Sequence, residues 1–225
     1  MNFETREEMA PRFIYLTGCD GTGKTTHAAL LLDYLRQCGL RTTHVWLRFP
    51  FFLSLPLLVY ARWRGFSWYE EYGGVRHGYW DFKASRLLRL FLPWTYLFDA
   101  AMFAPWKVYV PLLLGQTVVC ERFVIDMLVD LALAFDDANF HKQLPGRWFT
   151  RLLPARAQVV VLDVDGESAR ARRADLEGDA RLEQRLHMYR QIVYDLEFPV
   201  VLNQDDVTAV SLAVRNQLAN QGETG

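Results

Sequence analysis

Cysteine is scarce: the 225 residues hold three, Cys19, Cys38 and Cys120, an odd number without C-x-x-C spacing. That excludes a disulfide framework and a cysteine-held zinc site. His27, His44, His77, His141 and His187 include no pair spaced to share a helix face, so a histidine-held metal is not expected either. Net charge is nearly absent, with 25 Lys and Arg against 26 Asp and Glu leaving −1. A general nucleic-acid or anionic-membrane binder working by bulk charge is thereby disfavoured, and only a local basic pocket stays open. Long hydrophobic runs are missing too. Phe49 to Ala61 and Val108 to Cys120 are uncharged but fall short of the ~20 apolar residues of a spanning helix, and Pro50, Pro56 and Pro111 interrupt them. Both are expected as buried segments, with no membrane span. The N-terminus lacks the charged-then-apolar layout of a signal peptide, so a reduced, cytoplasmic setting is expected.

What is present is the balance of a globular domain, 51% hydrophobic and 23% charged. Phe13-Ile14-Tyr15-Leu16 predicts a short strand, and Lys24 to Cys38 a helix with Ala28, Leu31, Leu32 and Leu35 at helical spacing before Gly39. Arg41 to Leu47 predicts the next strand, making a parallel βαβ unit. Further strands are expected at Gln116 to Cys120, Gln158 to Asp163 and Val200 to Leu202. Between and after them, Val124 to Phe135 predicts a helix and Pro145-Gly146 a break. Asp179 reads as the N-cap of a helix through Leu182, Leu186, Tyr189 and Val193, and Asp205 or Asp206 as the cap of a last one through Val207, Val210, Val214 and Leu218. The alternation implies an α/β fold, a doubly wound parallel sheet of about five strands with helices on both faces. Arg48 to Gly115 is less regular, with Gly73-Gly74 as a loop and helical stretches at Leu87 to Leu92 and Tyr96 to Phe103. The aromatic stretch from Trp46 to Tyr109 suits a core or a substrate pocket, with a membrane surface as the alternative.

Gly18-Cys19-Asp20-Gly21-Thr22-Gly23-Lys24-Thr25 matches G-x-x-x-x-G-K-[ST] between a predicted strand and a predicted helix, the context a phosphate-binding loop requires. Glycines let backbone N–H groups turn inward around phosphate oxygens, and the helix start adds the positive end of its dipole. Lys24 would reach the terminal phosphates and Thr25 would ligate Mg²⁺. Asp163-Val164-Asp165-Gly166 and Asn203-Gln204-Asp205-Asp206 imitate the D-x-x-G and N-K-x-D of GTPases. The second lacks its lysine, however, and the first is followed by Arg170, Arg172 and Arg173 instead of a switch segment.

Four elements, in order, resemble the thymidylate kinase branch of the P-loop nucleoside-monophosphate kinases. Thr17 to Thr26 resembles that phosphate loop, including the acid two residues after the first glycine, and Leu47-Arg48-Phe49-Pro50 resembles its T-R-E-P element. Pro111 to Phe123 resembles its P-x-L-x-x-G…D-R-Y segment, and Val161 to Glu167 the L-D-V-x-P-E strand that leads into the lid. The resemblance runs from about Arg12 to Leu218. It implies a single P-loop kinase-like domain over 1–225, with a helical acceptor-binding region at about 48–115 and a lid at about 166–180.

The implied reaction is transfer of the γ-phosphoryl of ATP, with Mg²⁺, to a nucleotide such as dTMP. Gly18, Asp20, Gly21, Thr22, Gly23, Lys24, Thr25 and Thr26 would bind ATP, and Thr25 and Glu121 would serve the metal. Lys24, Arg122, Arg170, Arg172 and Arg173 would be catalytic; the lid arginines enter because Gly21 stands where some members carry a phosphate-loop arginine. Asp20, Arg48, Phe49, Arg76 and Arg122 would hold the acceptor. Phe49 replaces the T-R-E-P glutamate, which counts against a hydroxyl acceptor needing a carboxylate base. Met102 stands where the family's A-D-R arginine helps hold the acceptor phosphate, leaving Arg76, Arg86 or Arg89 as candidates for that task. A deoxynucleoside kinase and a catalytically silent nucleotide-binding protein are the alternatives. Small-molecule nucleotides are the expected partners, with a homodimer allowed and no nucleic acid.

Overall fold

Every residue of β1 (Phe13–Thr17) is buried, as expected of a strand covered on both faces. The computed structural model describes residues 13–48, 52–203 and 206–223. After β1 come α1 (Lys24–Gln37), β2 (Thr42–Trp46), α2 (Leu55–Trp63), β3 (Ser67–Tyr72), β4 (Val75–Trp80), α3 (Arg86–Ala104) and a short α4 (Val110–Leu113). The second half holds β5 (Thr117–Glu121), α5 (Val124–Phe135), α6 (Leu144–Thr150), β6 (Ala157–Asp163), α7 (Gly166–Arg172), α8 (Leu182–Asp195), β7 (Val200–Leu202) and α9 (Val207–Glu223).

Five strands form one parallel sheet in the order β2-β5-β1-β6-β7. Side chains alternate across a strand, so β1 sends Ile14 and Leu16 to one face and Phe13 and Tyr15 to the other. On the first face Ala28, Leu31 and Leu35 of α1 and Val210, Val214 and Leu218 of α9 close the core. On the second, Leu128 of α5, Leu186 of α8 and Leu92 of α3 do so. The chain is therefore an α/β protein with a doubly wound parallel sheet. The crossover after β1 runs to β2 on one side, and the one after β5 runs to β6 on the other. This reversal opens a crevice at the carboxyl ends of β1 and β5, where open α/β sheets bind ligands.

The middle of the chain departs from the helical region expected at about 48–115. β3 and β4 pair antiparallel, with Gly73 and Gly74 in the left-handed conformation that the tight connection needs. The two expected helical stretches are one helix, α3, which continues through Pro93. Thr95 Oγ1 donates to the carbonyls of Phe91 (3.2 Å) and Leu92 (3.1 Å) beside this interruption. Pro145 and Gly146 do not break the chain but lie in the first turn of α6, where proline costs no helical hydrogen bond. Asp179 is not the N-cap of α8, a position held by Arg181.

The two uncharged runs are not buried throughout. Residues 49–51 lie outside the described residues, but Phe52, Leu53, Leu55, Val59, Val110 and Leu113 are exposed. The helices there are apolar nearly all round, whereas the core covers only one side of them.

Candidate functional site

The loop between β1 and α1 must pass close to β6, which fixes its glycines. A Cβ on Gly18 would lie 2.1 Å from the Leu162 carbonyl oxygen, and Gly18 has φ +144°. Gly23, the N-cap of α1, has φ +79° and admits the Asn203 side-chain amide, which donates to Thr22 O at 2.8 Å. Thr22 Oγ1 donates to Cys19 O at 2.8 Å and tightens the turn. Lys24 Nζ folds over this ring of backbone, donating to Gly18 O (2.8 Å) and Cys19 O (2.6 Å). Burial presses the Lys24 ammonium below the ordinary lysine range, with Asp20 opposing the shift and Arg122 adding to it. Burial pushes the Cys19 thiol up to about 11, so it is protonated at neutral pH and stands as a small filler.

Asp20, Gly21, Gly23, Lys24, Thr25, Thr26, Arg122, Arg172 and Arg173 line one cavity of about 300 Å³. Within it Arg122 is paired with Asp20, and Arg173 Nη1 stands 3.7 Å from the same carboxylate. Burial alone would raise Asp20, but Lys24, Arg122, Arg48 and Arg185 hold its carboxyl well below the usual range. On the wall formed by β5, Thr25 Oγ1 donates to Glu121 Oε2 at 2.8 Å, and His44 Nε2 lies 2.7 Å from Glu121 Oε1. Mg²⁺ binds one or two protein oxygens and takes the rest from phosphate and water. The adjacent hydroxyl and carboxylate fit that demand. Among the described residues, no three His, Cys, Asp or Glu side chains gather to hold a metal alone.

Arg122 is set by strained backbone. Its φ of +62° lies in the left-handed region, uncommon for a side chain and costing of order 1–3 kcal/mol. The turn is held from behind by Asp126, which is fully buried. Its Oδ2 accepts from Tyr15 OH (2.7 Å), Thr17 Oγ1 (2.9 Å) and Phe123 N (3.1 Å), and its Oδ1 from Tyr189 OH (2.7 Å). Leu47 N donates to the Arg122 carbonyl at 3.1 Å and ties the turn to the end of β2. The sequence reading missed Asp126; the available signal was a carboxylate at the third position of a helix whose one other charged residue is Asp130.

The expected lid region contains α7 and a short 3₁₀ turn, Ala174–Leu176. Arg172 Nη2 donates to Asn203 O at 2.7 Å. Arg173 grips Asp175 with two bonds, of 2.9 and 2.5 Å. Arg170 turns away to Glu183 at 2.9 Å and does not line the cavity. Asp165 caps α7 by accepting from Ser168 N at 2.8 Å, and Asp163 pairs with Arg190 at 2.8 Å. These structural duties account for the acids in the segment that imitates D-x-x-G.

A second cavity, of about 120 Å³, is lined by Arg48, Tyr79, Trp80, Asp130, Arg181 and Arg185 among others. Arg48 is held in a bidentate pair with Asp130, at 2.8 and 2.6 Å. Asp179 is fully buried and accepts from Tyr79 OH, Arg185 Nη1 and Arg181 N, each at 2.9 Å. The Arg181 guanidinium lies over the stacked rings of Trp68 and Tyr79, at 5.0 and 5.2 Å. Sequence reasoning missed Arg181 and Arg185, although their i, i+4 spacing was visible. Arg76 stacks on Tyr69 at 4.0 Å and lines neither cavity; Phe49 lies outside the described residues.

A scan against protein-family models finds no match, and a search of curated proteins finds none.

Proposed function

We propose that the chain is an ATP-dependent phosphotransferase that phosphorylates a nucleoside monophosphate, with a deoxypyrimidine nucleotide such as dTMP as the first acceptor to test. The observation that carries the reading is the convergence of Lys24, Thr25, Arg122, Arg172 and Arg173 on one cavity around a phosphate-binding loop. Phosphoryl transfer needs positioning and neutralisation of charge on equatorial oxygens more than covalent chemistry. Backbone N–H groups of the loop and Lys24 would hold the β- and γ-phosphates. Thr25 and Glu121 would hold Mg²⁺, which supplies charge neutralisation across those phosphates when bound. Arg173 would leave Asp175 or share it to meet the transferring group, and Arg122 would grip the acceptor phosphate with its planar fork.

The state of Asp20 favours a phosphate acceptor over a neutral hydroxyl. A carboxylate held so far below its usual range is a weak proton acceptor, and Glu121 is engaged by Thr25 and His44. A phosphate anion needs no base. The slot beside Arg48, lined by Tyr79 and Trp80, offers aromatic surface for a base.

The test is an acceptor panel assayed for ADP at fixed ATP and Mg²⁺, each nucleoside beside its monophosphate. Monophosphates should be turned over and plain nucleosides poorly used, and Arg122→Lys should cut kcat/KM for the monophosphate by ~10-fold or more because a point charge cannot reproduce the fork. Faster turnover of nucleosides, with Arg122→Lys harmless, would give a nucleoside kinase instead. Inactivity with every acceptor would leave a binding protein.

A further inference from the structure

One face of the β3–β4 hairpin is spent on the segment that follows α7. Cross-strand neighbours share a face, so Trp68, Glu70 and Tyr72 of β3 stand together with His77 and Tyr79 of β4. Tyr72 lies so close to Gly178 that a Cβ there would be 2.3 Å from its ring. Tyr79 OH donates to Asp179 at 2.9 Å, and the Arg181 guanidinium lies over Trp68 and Tyr79. His77 Nε2 stands 3.5 Å from Asp175 Oδ2. Glu70 stiffens the face by accepting from Trp68 Nε1 at 2.9 Å and from Tyr72 OH. At the tip of the hairpin, a Cβ on Gly73 would lie 2.9 Å from the Ala174 carbonyl oxygen and 3.0 Å from Asp175 N. A two-stranded ribbon is marginal on its own, so the hairpin and the segment from Ala174 to Arg181 hold each other in place.

Arg173 directly precedes that segment, and its orientation is set by Asp175. The Asp175 carboxylate is buried and accepts from Arg173 Nε at 2.9 Å and from Nη2 at 2.5 Å. The remaining corner of the fork, Nη1, faces the cavity at the glycine-rich loop and stands 3.7 Å from Asp20. Because a guanidinium is planar, two bonds to one carboxylate fix the direction of its third nitrogen. Without them a long side chain that is 43% exposed would be spread over many rotamers.

We propose that the hairpin is the seat that positions Arg173 for phosphoryl transfer, with Asp175 as the positioning residue. The hairpin fixes Asp175, and Asp175 presents Nη1 to the transferring group while keeping its own two bonds. This rests on the phosphotransferase reading and adds to it that Arg173 shares Asp175 and does not leave it.

Steady-state kinetics with ATP, Mg²⁺ and the monophosphate acceptor, and calorimetry with ATP, are run on Asp175→Ala, Arg173→Ala and the double variant. Asp175→Ala should lower kcat ~10²-fold, the scale of a ~1 Å misplacement, with ATP affinity and acceptor KM within about twofold. The double variant should be no slower than Arg173→Ala, because Asp175 acts through that side chain alone. Gly73→Ala and Gly74→Ala separate the seat from general stability, and they keep the test open should Asp175→Ala fail to fold. Both glycines have positive φ, +54° and +74°, yet a Cβ on Gly74 meets nothing within 4 Å. Gly73→Ala should lower kcat ~10-fold and speed hydrogen exchange of the amides from Ala174 to Arg181, and Gly74→Ala should do neither. An unchanged or raised kcat in Asp175→Ala, additive losses in the double variant, or equal kinetics of the two glycine variants would overturn the proposal. Absence of transfer by the wild type would fail the phosphotransferase reading and the catalytic role of Asp175 with it; equal exchange in the two glycine variants would overturn the seat whatever the turnover.

Discussion

Asp20 links the glycine-rich loop after β1 to the stability of the fold. It is ionised in the folded protein at pH values where unfolded aspartates, with pKa near ~3.9, have already taken up a proton. In that window the unfolded chain binds more protons, so stability rises with pH. The contribution is complete above about pH 5 and is lost as pH falls below about 4. Asp20→Asn should flatten this acid limb and cost ~1–3 kcal/mol at pH 7, because Arg122 and Lys24 lose their counter-charge. Urea unfolding of both proteins at several pH values from 7 to 3 checks it; parallel curves would show that Asp20 has no part in the acid transition. The strand, glycine-rich turn and helix from Phe13 to Gln37 were legible in the sequence, since spacing and flanking elements carry them. Arg122 was legible only as a side chain, because neither its left-handed backbone nor the Asp126 cage has a sequence pattern beyond one acid among apolar neighbours.

Between β5 and α5 the turn is a device for aiming Arg122, and Asp126 is its brace. Four donors meet its two carboxylate oxygens, so Asp126→Asn removes the charge that three of them share at Oδ2 and forces the Tyr189 hydroxyl from donor to acceptor at Oδ1, and should cost ~2 kcal/mol or more. Affinity for ATP should be retained within about twofold while acceptor kcat/KM falls, as read by calorimetry and steady-state kinetics. Loss of both together would make Asp126 a general structural residue. Two arginines in the segment after β6 give a matching contrast. Arg173→Ala should lower kcat by ~10³ with little change in ATP affinity, as for an arginine finger, whereas Arg170→Ala should leave kcat within about twofold because Arg170 faces Glu183. Equal effects of the two would contradict the placement. Elements flanked by clear periodicity were readable, α1, α5 and the strands β1, β5 and β6 among them. The β3–β4 hairpin was not, because Trp68, Tyr69, Glu70, Glu71 and Tyr72 do not alternate apolar with polar. Its packing comes instead from tertiary partners, Asp179 and Arg181 just before α8.

Across the whole molecule, strand order places the glycine-rich loop after β1 and Arg122 after β5 on adjacent strands, and the segment after β6 brings Arg172 and Arg173 to the same cavity. The alternation of strands and helices was enough to anticipate that sheet. What it could not show was how much of α2 and α3 faces outward, since an apolar helix looks the same in sequence whether one side or both are covered. Phosphoryl transfer itself is followed with the label of [γ-³²P]ATP. With Mg²⁺ and dTMP, or the monophosphate preferred in the panel, label should appear on the nucleoside diphosphate in step with ADP. Lys24→Ala should lose transfer while keeping its fold, because it removes a cation whose proposed partner is the nucleotide. Label appearing only as inorganic phosphate, or transfer undiminished in Lys24→Ala, would contradict the account.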